Sequence, residues 1–188
     1  VQRRWVYLQG CVPDAALALK VAQKNLELNP QHYRKGVWAA IQDAADRTHT
    51  SPSDAQKEAG NFTKGKVTVQ GLRIAIETPK GTLRKGDGWE REMPYHYGYI
   101  LGTGSRDGEH IDVFLGPYPR SEVVFVVDQG RESGRFDEHK VLMGWHSEKQ
   151  AREAYLSCYP KGWRCGPITR LTMPQFRANP GSPAGRPP

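Results

Sequence analysis

The chain has no apolar run near the ~18 residues that a membrane-spanning helix needs, which excludes a bundle of such helices. Its N-terminal stretch is positively charged but has no continuous apolar segment before a small-residue cleavage site, so that stretch does not read as a secretory leader. Cysteine is scarce: Cys11, Cys158 and Cys165 are odd in number and form no C-x-x-C pair. Neither a disulfide framework nor a zinc ribbon follows, and His139, His146, Cys158 and Cys165 fit no usual zinc spacing. With Val at position 1, the sequence is expected to be a fragment of a longer cytosolic polypeptide.

What is present is one full domain's worth of chain, 188 residues, with a formal net charge of +7. That charge draws polyanions of any size, from nucleic acid to a small phosphate compound, and does not choose among them. Residues 1–52 are expected to form an accessory helical segment. Helices are predicted over Asp14–Leu28, which ends at Asn29-Pro30, and over Tyr33–Ala45, giving a hairpin followed by a polar connector. From residue 53 to 177 the apolar period becomes that of strands. "KVTVQGLRIAIE" reads as a hairpin or bent strand, and "IDVFLG", "EVVFVVDQ" and "KVLMGW" as three more. An amphipathic helix from Ser147 to Cys158 begins at a serine cap, and "GPITRLT" closes the strand set before a helical turn at Met173–Phe176. Short strands followed by a helix predict an α+β domain on a small, OB-like antiparallel barrel with a packed C-terminal helix. Residues 178–188, rich in Pro and Gly, read as a linker.

One motif misleads. Gly60 to Lys66 satisfies the G-x-x-x-x-G-K pattern of a phosphate loop, yet Val67 then opens a strand where that loop needs a Ser or Thr and a helix. The acids carry more. Asp107, Glu109 and Asp112 surround a glycine turn that enters an apolar strand, and they converge only if Gly108 bends the chain. Alone, such a turn is ordinarily just solvated. Here Glu77, Asp128 and the pair Asp137 and Glu138 lie at other strand ends, interleaved with Lys80, Lys85, Arg91 and Lys140. Gathered carboxylates call for a hard divalent cation, and neighbouring bases suit the oxygens of a bound phosphoanhydride.

"YHYGYI" followed by "DGEHIDVFLGP" resembles the signature of the soluble inorganic pyrophosphatases, and is similar to the variant found as a domain of phage and prophage multidomain proteins. The similarity runs from about Ala59 to Phe176. It implies hydrolysis of pyrophosphate, with magnesium as cofactor and manganese as the alternate ion. It further implies a cytoplasmic setting in a bacterial host or association with a virion, partner domains in a parent phage protein, and no membrane. Carried over by position, Asp107, Glu109 and Asp112 match the metal-binding acids, with Asp128 and either Asp137 or Glu138 as later ligands. Asp112, Tyr97, Lys140 and Glu77 take the catalytic places. Lys80, Lys85, Arg91, Tyr97, Lys140, Tyr159 and Lys161 are the implied substrate contacts. Glu109 and His110 stand where the signature has Asp and Pro, His96 replaces an Asn, and Met93 a tyrosine. Two other readings share the sequence. One is a hydrolase of nucleoside polyphosphates with Trp89 or Trp145 against the base; the other is an inactive barrel binding nucleic acid through its charge.

Overall fold

The computed structural model describes residues 30–86, 88–104, 110–130 and 136–180, with the side chains of 30–35, 57 and 86 left aside. The expected helix at Asp14–Leu28 and the acids Asp107 and Glu109 lie outside the described residues, as does most of the linker. By internal contacts the chain divides into Val1–Trp38 and Ala39–Pro188. Helix α1 (Pro30–Asp46) begins in the first unit, and its last two turns belong to the second. There Ile41, Ala44 and Ala45 are buried, at the i, i+3, i+4 spacing of one helical face. A short α2 (Asp54–Glu58) follows.

Among the described residues nine strands then form: β1 (Gly65–Val69), β2 (Leu72–Thr78), β3 (Leu83–Gly86), β4 (Trp89–Glu92), β5 (His96–Ile100), β6 (Ile111–Leu115), β7 (Val123–Gly130), β8 (Phe136–Met143) and β9 (Ile168–Thr172). Helices α3 (Glu148–Ser157) and α4 (Met173–Ala178) flank β9 in sequence. The class is α+β, as expected. The barrel, however, is open: seven strands run in the order β1-β2-β5-β6-β8-β7-β9, with no pairing between β1 and β9, and β3 and β4 make a separate hairpin. Nor is the sheet wholly antiparallel, because β6 and β8 run parallel. The chain leaves β6, takes the outer place as β7, and returns antiparallel to β7 as β8, which lies between them and parallel to β6.

Local chemistry accounts for the edges of these elements. The β1–β2 hairpin turns on Gln70 and Gly71, both at positive φ (49° and 83°), the conformation required by a two-residue turn that matches strand twist. Helix α3 starts where Ser147 accepts a hydrogen bond from the Gln150 N–H, and α4 where Thr172 and Gln175 form a reciprocal capping box. Against one face of the sheet α3 lays Ala151, Ala154 and Tyr155, which pack with Phe114, Phe125, Leu142 and Trp145 into the main core. The Thr48 hydroxyl lies within hydrogen-bond distance of the Ala44 and Ile76 carbonyls and accepts from the Gly65 N–H, joining the end of α1 to β1 and β2.

Gly98, in the middle of the Y-G-Y-I stretch, is demanded by close backbone approach. A Cβ there would lie 1.9 Å from the Ala75 carbonyl oxygen. Gly98→Ala is therefore expected to force β2 and β5 apart and destabilise the protein by at least ~2 kcal/mol, read as a lowered urea midpoint. An unchanged midpoint would contradict this packing.

Candidate functional site

The central strand β6 is buried on both faces except at one residue. Ile111, Val113, Phe114 and Leu115 are at most 2 % exposed, while Asp112 is only half-buried. A carboxylate in that position needs partners, and strand register supplies them. Asp112 pairs with Tyr99 of β5 on one side and Lys140 of β8 on the other. The Lys140 ammonium meets Asp112 Oδ2, and the Tyr97 hydroxyl donates to the same oxygen. Glu138, two residues before Lys140 and thus on the same strand face, reaches the ammonium at 2.7 Å. Arg84 Nη2 donates to the Tyr97 hydroxyl at 2.7 Å, with the guanidinium 3.9 Å from the Tyr97 ring centroid. The guanidinium also interacts with the Tyr159 hydroxyl.

These groups hold one another in defined charge states. Burial pulls the Lys140 pKa down, but Tyr97, Asp112 and Glu138 outweigh it and keep the ammonium charged. Burial raises Glu138, and Lys140 offsets only part of that rise. Tyr97 is pushed well above its ordinary value, first by burial, so it stands as a neutral phenol able to donate to Asp112. For Arg84, burial opposes charge and is overcome by the oxygens of Tyr97 and Tyr159 and by Asp112. The result is a cation pair, Lys140 and Arg84, bracketing a carboxylate.

Glu77 enters from β2 by a defect in the ladder. Ile76 pairs with Gly98 and Thr78 with Tyr97, so two steps on β2 match one on β5 and Glu77 is the extra residue of a β-bulge. Its carboxylate is held by Lys64 at 2.6 Å. Burial lowers the Lys64 pKa less than Glu77 and Tyr99 raise it, so this pair too is charged.

Glu77, Lys85, Tyr97, Asp112, Glu138 and Lys140 thus line one cleft of about 680 Å3, together with Arg84. Lys85 is largely exposed and 3.4 Å from Glu90 across the β3–β4 hairpin. Other predicted positions lie elsewhere. Asp128, Asp137 and Lys161 line a second pocket of about 830 Å3, because Asp128 sits opposite His139, the strand position of opposite parity to Glu138 and Lys140. Asp137 is the extra residue of a second bulge, opposite Gln129 and Gly130. Tyr159 is buried and donates to Gln129 Oε1 at 3.1 Å, as Tyr155 does at 2.7 Å, while the Gln129 amide donates to Glu138. It therefore braces Glu138 from behind the cleft. Arg91 caps the end of α3 through the Ser157 carbonyl, and the exposed Lys80 meets His96 only through its backbone N–H. Trp145 packs edge-on to Tyr95 in the core and Trp89 against Tyr159, so neither lines the cleft.

The stretch bearing Asp107 and Glu109 is tied at both described ends. The Thr103 hydroxyl accepts from the Ile111 N–H, and His110 Nδ1 lies 2.7 Å from the Thr103 carbonyl, with its ring stacked on Tyr99. His110 thus holds the entry to β6. Among the described cysteines, burial pushes the Cys158 thiol up to about 12, an inert core thiol.

Sequence reasoning missed Arg84 and Lys64. Arg84 was overlooked because its strand, β3, has no alternating apolar pattern; Lys64 sat inside the misleading glycine–lysine motif, where its pairing with Glu77 has no local signal.

Carboxylates interleaved with fixed cations in one cleft have the chemistry to hold phosphate oxygens. A model of the inorganic pyrophosphatase family matches residues 54–179, about two-thirds of the chain, and the chain belongs to that family. No curated protein and no solved structure matches it.

His96 beside the cleft gives a pH test. Its ring is buried and Nδ1 accepts the Lys80 N–H, and burial followed by the Lys80 charge lowers its pKa. A depressed folded value means that the stabilising contribution is complete above the unfolded value of about 6.5 and is lost as pH falls through the folded one. Tm is expected to drop as pH falls below about 6.5, and His96→Asn to flatten that slope. An equal slope in the variant would rule His96 out.

Proposed function

We propose that this pyrophosphatase-family domain hydrolyses inorganic pyrophosphate to two orthophosphates with magnesium. The observation that carries the reading is the convergence of two largely buried cations, Arg84 and Lys140, with Asp112 in one cleft. Guanidinium and ammonium donors in such a place are suited to phosphate oxygens.

Among the described residues, no group of three His, Cys, Asp or Glu side chains could hold a metal by itself. The donor chemistry still fits a hard divalent ion: Asp112, Glu138 and Glu77 present only carboxylate oxygens to the cleft. We assign Asp112 as one ligand and Asp107 and Glu109, five and three residues before it in the same signature, as the others. Asp128 and Asp137, in the other pocket, are left out of this set. When bound, such an ion lowers the pKa of a water and neutralises phosphate charge.

The protein's own groups do the positioning. Tyr97 donates to Asp112 and fixes its orientation. Arg84 and Lys140 hold the phosphate oxygens and compensate the charge that grows on the leaving phosphate as the water oxygen bonds to phosphorus and the bridging P–O bond breaks. Glu138, tied to Gln129, keeps Lys140 in place. The resemblance further supports a setting as residues 53–177 of a phage-type multidomain protein, in the host cytoplasm or the virion, with weak nucleic-acid binding through the +7 charge.

Phosphate release from pyrophosphate tests the reading. Asp112→Asn is expected to lose nearly all turnover while keeping the fold, and Arg84→Ala to lose about 100-fold in kcat/KM. Chelation by EDTA should abolish turnover and added magnesium restore it. Parental rates in Asp112→Asn would overturn the site.

A further inference from the structure

We propose that, besides pyrophosphate, this cleft accepts a phosphoanhydride that carries an aromatic organic group, as a nucleoside diphosphate does, and that Phe62 with residues His49–Pro52 is the receptor for that group. This rests on the phosphoanhydride hydrolase reading above. Pyrophosphate is far smaller than the drug-sized molecules that fill pockets of about 300–1,000 Å3, and the cleft has about 680 Å3. Ions and their waters account for space beside the carboxylates. They do not account for a wall that includes Phe62, Pro52 and His49.

The lining changes in character along the sheet. Phe62 lies three residues before β1, the sheet edge, whereas Asp112 and Lys140 stand on β6 and β8. From β1 to β6 is three strand spacings, about 14 Å, a length comparable to that of a nucleoside diphosphate. Between them, on β2, lies the bulged Glu77, whose Oε1 is paired with Lys64 and whose second carboxylate oxygen is an acceptor for a sugar hydroxyl. An apolar ring, then an acceptor, then two cations is the order of base, sugar and phosphates. The receptor is also built. The His49 N–H donates to the Thr63 carbonyl at 2.9 Å, which fastens the His49–Pro52 segment beside Phe62. Lys64, which does not line the cleft, braces the Phe62 ring from 4.7 Å. Thr50 and Ser51 add hydroxyls to the same wall.

The reaction keeps the anhydride at the cationic end. A water oxygen bonds to the β-phosphorus, the bond from that phosphorus to the bridging oxygen breaks, and the bridging oxygen leaves with the electron pair on the nucleoside monophosphate. Orthophosphate and one proton are the other products.

Steady-state phosphate release from ADP and from pyrophosphate, with magnesium, tests this on the full chain and on Phe62→Ala, Phe62→Leu and Phe62→Tyr. The parent is expected to turn over both substrates. Ala and Leu should raise KM for ADP about tenfold more than KM for pyrophosphate, with kcat for ADP changed less, and Tyr should restore the parent's ratio. Pyrophosphate turnover with no release from ADP overturns the proposal and leaves the pyrophosphatase reading standing. Equal effects of Phe62→Ala on both substrates overturn the receptor alone. Inertness toward both substrates overturns this proposal and the reading beneath it.

Discussion

The site is organised by one electrostatic necessity: a carboxylate set into a strand otherwise buried on both faces must be neutralised. Asp112 meets that condition through Lys140, which the parallel pairing of β6 with β8 places directly beside it. Lys140 is itself almost wholly buried and is kept charged by Asp112, Glu138 and the Tyr97 oxygen. The two are not equivalent: Glu138 still pairs Lys140 if Asp112 is neutralised, whereas removing Lys140 leaves Asp112 and Glu138 without their shared cation.

Around that pair the sheet uses irregularity to add groups that regular strands could not supply. Side chains alternate along a strand, so Glu77 would take its place in the ladder between Ile76 and Thr78 if β2 were regular. The bulge opposite Gly98 re-aims it into the cleft, and the lack of a Cβ at Gly98 lets the two strands come close enough for this. The β3–β4 hairpin lies outside the main sheet and delivers Arg84 over the Tyr97 ring. Behind the cleft, Gln129, Tyr155 and Tyr159 form a buried hydrogen-bonded brace that reaches Glu138. Fixed cations and a fixed phenol are valuable in phosphoryl transfer, where rate comes mainly from position and charge compensation rather than from covalent chemistry by the protein.

Membership of the pyrophosphatase family and the geometry of the cleft agree on phosphate chemistry from different directions. The family match comes from the order of residues along the chain, whereas the cleft comes from strands distant in sequence. The matched range contains Tyr97, Asp112 and Lys140, which line the cleft.

Much of this was legible in the sequence. Period-two patterns marked β1, β2, β6, β7 and the end of β8, Ser147 marked the start of α3, and the acid-rich signature marked the entry to β6. These are local properties, written in neighbouring residues and their intrinsic preferences. The open sheet, the parallel pair, the β3–β4 hairpin and the cleft's membership were not legible. Asp128 looked equivalent to Glu138 at a strand end, yet register turned one toward His139 and the other toward Lys140. Sequence determined which residues alternate, cap and turn. Tertiary structure decided which of them meet, because register and bulges are settled by packing between strands far apart in the chain.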